Sequence, residues 1–157
     1  MKLKIIFITL FGWLLFAIPT SMLRERARES FERGDYCASL KTLRWTSFFS
    51  SSDKYLLATL YASGFCVTQD IPRARQLYGT IHRSTPEMIG KTFFYAAIGA
   101  SDSDERNGQS KRPQVLRALF SEANSLGFHP TDKELAELDQ RNLKADFLIS
   151  ISQKINK

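Results

Sequence analysis

Nineteen consecutive residues, Ile5 to Leu23, carry no charge, and no other feature of the chain restricts its fold as strongly. A helix that is apolar all round belongs in a bilayer or deep in a core, and a core helix at the surface of a small domain would show a polar face. At a rise of about 1.5 Å per residue the run covers about 28 Å, close to the hydrocarbon thickness of a bilayer. Lys2 and Lys4 precede it, the short positive region with which an export signal begins. The stretch Ala17-Ile18-Pro19-Thr20-Ser21-Met22 offers no pair of small residues spaced for cleavage, and Pro19 falls where cleavage would be hindered. Residues 1–23 therefore read as an uncleaved signal anchor. The first cysteine is Cys37, too distant for lipid attachment at a processed N-terminus.

Orientation rests on opposing charges. Lys2 and Lys4 favour a cytoplasmic N-terminus, whereas Arg24, Arg26, Arg28 and Arg33 just beyond the run resist export. A short basic tail ahead of an apolar run normally acts as an export signal. The expected location is the inner membrane with the domain facing the periplasm; an exported soluble form and a cytoplasmic-facing domain are the alternatives.

The rest of the chain has room for one domain within a total of 157 residues. At 43% hydrophobic and 24% charged the composition is that of a globular protein, so neither disorder nor a fibrous repeat describes the whole. Of its net charge of +6, two units belong to Lys2 and Lys4. The arginines at 24, 26, 28 and 33 are interleaved with Glu25, Glu29 and Glu32, which argues against a phosphate-reading face and a nucleic-acid partner.

The pattern over 24–157 is helical throughout. Leu23, Ala27 and Phe31 recur at i, i+4 and i+8 and the stripe stops at Gly34-Asp35. Asp35 caps a second helix, Tyr36 to about Phe49, with Leu40, Leu43 and Trp45 as its apolar residues. Asp53 starts a third, ending at Gly64, and Asp70 a fourth, ending near His82. Ser84-Thr-Pro-Glu87 has the form of a capping box and opens a fifth through Phe93, Phe94 and Ala97. Ser101–Arg112 reads as a long polar loop, after which Pro113 opens a helix closing at Gly127. A last capping box, Thr131 to Glu134, opens a C-terminal helix through Leu135, Leu138, Leu143, Phe147 and Ile151. No stretch alternates as a strand. The expected fold class is all-α, in antiparallel helix hairpins.

Within this pattern, residues 57–78 carry a spaced set: Ala58, Tyr61, Gly64, Val67, Gln69, Asp70, Ala74 and Tyr78. Ala58 and Ala74 let two helices approach closely, Gly64 permits a left-handed helix end, Asp70 caps the second helix, and Tyr61 and Tyr78 fill the seam. The set resembles the core of a Sel-1-like repeat, a relative of the tetratricopeptide repeat. Residues 31–43 resemble a leading half-repeat through Gly34, Asp35, Tyr36, Ala38 and Leu40. A degenerate second unit runs from Phe93 to Gly127 through Tyr95, Ala96, Gly99, Leu119 and Ala123, without the Gln-Asp pair. The resemblance implies a short α-solenoid behind the N-terminal apolar helix, with grooves that bind peptides or protein surfaces. It departs at Cys66, where the second loop glycine is usual.

Catalytic chemistry is poorly supplied. His82 and His129 lack metal-ligand spacing, and no glycine-rich phosphate loop is present. No cofactor or metal is expected. Phe93-Phe94-Tyr95 reads as core packing, because three consecutive helical aromatics point in different directions. Lys111, Arg112 and Arg117 read as a solvated loop among Asp102, Asp104 and Glu105. The function expected is a non-catalytic interaction protein of the cell envelope, a scaffold or adaptor. A toxin-neutralising immunity protein and an accessory subunit held by its own span are the alternatives; an envelope hydrolase would need convergent polar groups in a pocket. Partner contact is expected between the helices of 53–83 and 86–99, with Tyr55, Arg73 and Tyr95 as anchors. In such hairpins Cys37, at the start of one helix, and Cys66, in the loop after the next, fall at the same end, so an exported domain would pair them. In a cytoplasmic domain they would stay reduced.

Overall fold

The structure, a computed structural model, describes residues 20–81 and 85–155, the side chains of 153–155 excepted. The anchor expected over residues 1–23 thus lies, up to residue 19, outside the described residues, as does His82. Among the described residues no helix is long and apolar enough to cross a membrane.

All regular structure among the described residues is helical. Residues 20–32 form α1. It is followed by α2 (Tyr36–Thr46), α3 (Ser51–Ser63), α4 (Ile71–Gly79), α5 (Pro86–Arg106), α6 (Pro113–Ser125), α7 (Asp132–Gln140) and α8 (Lys144–Ile155). The starts are chemical. The side chains of Asp35, Ser50, Asp70, Thr85 and Thr131 each accept a backbone N–H three residues on, satisfying one of the donors a helix start leaves free. At Thr131 the box is complete, because the Glu134 carboxylate accepts the Thr131 backbone N–H at 2.8 Å. Pro86 and Pro113 sit in first turns, where a missing N–H costs nothing.

The helices pair antiparallel as α1/α2, α3/α4 and α5/α6. Ser39 donates to the Ala27 carbonyl at 2.8 Å across α1 and α2. Tyr55, early in α3, meets Tyr78, late in α4, with ring centroids 5.4 Å apart. Gly90, early in α5, faces Ala123 and Phe128 at the far end of α6. The α3/α4 and α5/α6 hairpins share one core, in which Phe93, Phe94, Leu116, Leu119, Phe120, Leu138 and Leu143 are fully buried. Phe94 lies 5.7 Å from Phe120 and 5.2 Å from Phe128, ring to ring, and Phe120 meets Phe147 edge-on at 5.5 Å. A smaller cluster of Ala27, Leu40, Leu43, Leu57 and Leu60 ties α1 and α2 to α3.

Four local expectations are corrected. Residues 101–106 are not loop: α5 continues through them, and Ser101, Ser103 and Asp104 are buried. Their polarity is matched by side chains from distant elements, Tyr36 on Ser103, Arg112 on Asp104 and Arg141 on Asp102. Arg112 is accordingly no solvated loop residue. Its Nε reaches both Asp104 oxygens at 3.1 and 3.2 Å, a second nitrogen donates to the Ser63 carbonyl at the end of α3, and its guanidinium lies 4.5 Å from the Phe65 ring centre. The C-terminal segment is two helices, because Asn142 takes φ +54° and turns the chain between α7 and α8. Trp45, expected on the apolar side of α2, is exposed.

Cys37 and Cys66 stand with Cα atoms 5.2 Å apart, bonded as a disulfide, within the usual range for that cross-link. Cys66 takes φ +58°, the left-handed conformation that glycine adopts without strain. The chain thus keeps a glycine-like backbone in this loop and accepts the strain of a side chain there, which the cross-link uses.

Candidate protein-binding groove

The hollow that combines aromatic walls with a floor of small residues lies between α1, α3 and α5, with a volume of about 350 Å³. Phe31 and Tyr36 close one end, Tyr55 and Thr59 come from α3, and Tyr95, Ala96, Gly99 and Ala100 from α5; Glu32 and Arg106 put opposite charges on its rim. Its helices supply it at regular intervals. Positions 95, 96, 99 and 100 are one face of a helix by the i, i+4 rule, while Phe93 and Phe94 turn into the core.

Tyr36 stacks on Phe65 at 4.2 Å, nearly parallel, and meets Phe31 edge-on at 5.3 Å. This wall is held by the adjacent Cys37–Cys66 bond. Tyr55 rests its ring on Tyr78, and burial pushes its phenol above the ordinary value. Tyr78 is buried with its hydroxyl 2.9 Å from that of Thr59, and burial drives its pKa upward more strongly. Tyr95 keeps its ring part-exposed while its hydroxyl donates to Glu134 at 2.9 Å. That bond, then burial and the charges of Glu134 and Glu137, hold the Tyr95 pKa up. Burial pushes Glu134 upward, but hydrogen bonds from the Thr131 backbone, Tyr95 and the Thr131 hydroxyl, with Lys91 nearby, outweigh it and leave the carboxyl below its usual value.

Of the three anchors expected from sequence, the structure brings Tyr55 and Tyr95 to one hollow and sets Arg73 elsewhere. Arg73 is exposed on α4, donates to Gln76 at 2.8 Å and lines a separate hollow with Arg44, Phe48, Lys54 and Tyr61. Sequence reasoning missed Phe31, Tyr36 and Phe65 as wall residues. A signal existed: pairing Cys37 with Cys66 places their neighbours Tyr36 and Phe65 side by side.

The spaced residues of 57–78 occupy mechanical positions. Ala58 and Ala74 are fully buried in the core shared by α3 and α4, and Gly64 ends α3 at φ +68°. Gln69 donates to the Ala62 carbonyl at 2.8 Å and Asp70 accepts the Arg73 N–H, so the pair fastens the turn and starts α4. Tyr61 and Val67 are partly buried, both packed against the α1–α3 cluster. Among the described residues no three His, Cys, Asp or Glu side chains gather as metal ligands would. Comparison with protein-family models, with curated proteins and with solved structures found no match.

Proposed function

We propose that the chain is a non-catalytic adaptor of the cell envelope, anchored by residues 1–23 with its domain exported, and that its helix hairpins form a short solenoid of the Sel-1-like type. The observation that carries this reading is the hollow between α1, α3 and α5, the first helices of three successive hairpins, walled by Phe31, Tyr36, Tyr55 and Tyr95 and floored by Ala96, Gly99 and Ala100. Rigid aromatic side chains over small residues suit an extended or helical protein segment, since they bury contact area at low entropic cost. The Cys37–Cys66 pair supports export, because structural disulfides belong to oxidising compartments.

Gly99 provides the test. A Cβ built there meets nothing within 4 Å, so position 99 admits a side chain, and Gly99→Trp puts an indole into the hollow it lines. Purified from its native membrane, the wild-type chain retains a protein partner that Gly99→Trp loses, while Arg73→Ala, on its separate hollow, keeps it. A Gly99→Trp chain of unchanged helicity that retains the partner refutes the groove.

A further inference from the structure

Five large apolar side chains stand exposed at one end of the molecule: Met22 at 57%, Leu23 at 46%, Trp45 at 75%, Phe48 at 80% and Phe49 at 62%. The other exposed large apolar side chains, Tyr55, Met88, Tyr95, Leu148 and Ile149, are at most 56% exposed, and an apolar cluster of this size on a small domain marks an interaction surface. The five come from two places in the sequence, the first turn of α1 and the stretch from the last turn of α2, with Trp45, into the turn before α3, with Phe48 and Phe49. Their proximity is fixed by Arg24, whose guanidinium reaches Ser50 at 2.7 Å and Asp53 at 3.0 Å, and Leu23 and Trp45 line the same shallow hollow.

The charges around this tip have one dominant sign. Between Cys37 and Tyr55 the charged residues are Lys41, Arg44, Asp53 and Lys54; Asp53 is buried and paired with Arg24 and Arg28, leaving three cations. Arg73 joins them, since it shares a hollow with Arg44, Phe48 and Lys54. Glu25 and Arg26 on α1 flank the tip and offset each other. Tryptophan and phenylalanine ringed by lysine and arginine are the composition of a surface seated at the headgroup level of an anionic bilayer.

The chain outside the described residues settles which occupant. The apolar run of residues 5–19 immediately precedes α1 in the sequence, and Met22 and Leu23 lie in the first turn of α1. Where that run enters a bilayer, the tip is carried to its surface. We propose that Trp45, Phe48 and Phe49, with Met22 and Leu23, insert into the headgroup region of the membrane holding the anchor, and that Lys41, Arg44, Lys54 and Arg73 contact anionic headgroups. The domain is then docked in a fixed pose rather than tethered. This rests on the anchor reading of residues 1–23.

The test uses the full chain with Trp13→Phe, which leaves Trp45 the sole tryptophan, in phosphatidylcholine vesicles with about one lipid in four phosphatidylglycerol. Retention after an alkaline wash reports the anchor, and Trp45 emission reports the tip. The expected result is blue-shifted emission that is quenched when the acyl chains carry bromine near the headgroups, the level at which interfacial tryptophans sit. The quenching should shrink in vesicles without phosphatidylglycerol and in Phe48→Ser, whose exposed position leaves folding intact. A retained chain with water-like, unquenched emission overturns the docking and leaves the anchor standing. Blue-shifted but unquenched emission also overturns it, showing protein as the cover. Equal quenching without phosphatidylglycerol overturns the headgroup contacts, and release by the alkaline wash overturns anchor and docking together.

Discussion

Two glycines nine positions apart on α5 show how a single residue type serves opposite ends. At Gly90 an added Cβ would come within 2.8 Å of the Ala123 carbonyl oxygen and of the Phe128 Cβ, whereas at Gly99 it would meet open space. Gly90 is therefore needed for the close approach of α5 to the end of α6, and Gly99 keeps the floor of the groove open. Gly90→Ala is expected to destabilise the domain by about 1–3 kcal/mol through overpacking against a backbone that cannot yield. Gly99→Ala should stabilise it by about 0.5–1 kcal/mol, the ordinary helical preference. Urea unfolding of the two variants reads both signs. The sequence shows glycine in a helical pattern at each position and no sign for either, because the deciding atoms, those of Ala123, Leu126 and Phe128, lie more than thirty residues away from Gly90 in the case that matters. What was legible at this scale is local: Asp35, Asp70 and Thr131 announce helix starts through groups only three residues on.

At the scale of elements the same contrast holds. Helix starts are readable and some ends are not, since α5 runs on through Ser-Asp-Ser-Asp-Glu-Arg only because Tyr36, Arg112 and Arg141 satisfy that stretch from outside it. The tie between α5 and α7 carries a prediction. Glu134 starts α7 by closing the capping box and receives the Tyr95 hydroxyl from α5, and its pKa in the fold lies below the usual 4.5. A carboxyl whose folded pKa is depressed contributes stability that is present above its unfolded pKa and lost as pH falls through the folded one. Stability should therefore drop below about pH 4.5, and Tyr95→Phe, which removes one of the bonds holding the carboxylate, should drop less between about pH 7 and pH 3. Paired urea titrations at the two pH values check it; equal losses in both proteins contradict the tie.

For the molecule as a whole, the Cys37–Cys66 bond spans a sequence separation of 29 and joins the start of α2 to the loop leading into α4. Chain entropy puts a loop of that size at about 3.5 kcal/mol, a large share of the stability of a domain this small. Reduction should lower the melting temperature by about 10 °C. In the reduced chain Cys66 retains its left-handed backbone with no cross-link to offset the strain, so Cys66→Gly in a Cys37→Ser background should recover about 1 kcal/mol relative to Cys37→Ser alone. The all-helical class and the common end of the two cysteines are readable from the order of helices and turns. The groove as a whole is not, because the sequence points to Tyr55 and Tyr95 as anchors but Phe31 and Tyr36 join them only through contacts between elements distant in sequence. The most direct measurement of the central claim is photocross-linking in living cells, with a photoreactive side chain placed at Gly99 in the groove and, separately, at Gln114 on α6. The account predicts a discrete protein adduct from Gly99 and none from Gln114; no adduct from Gly99, or the same adduct from both, would contradict it.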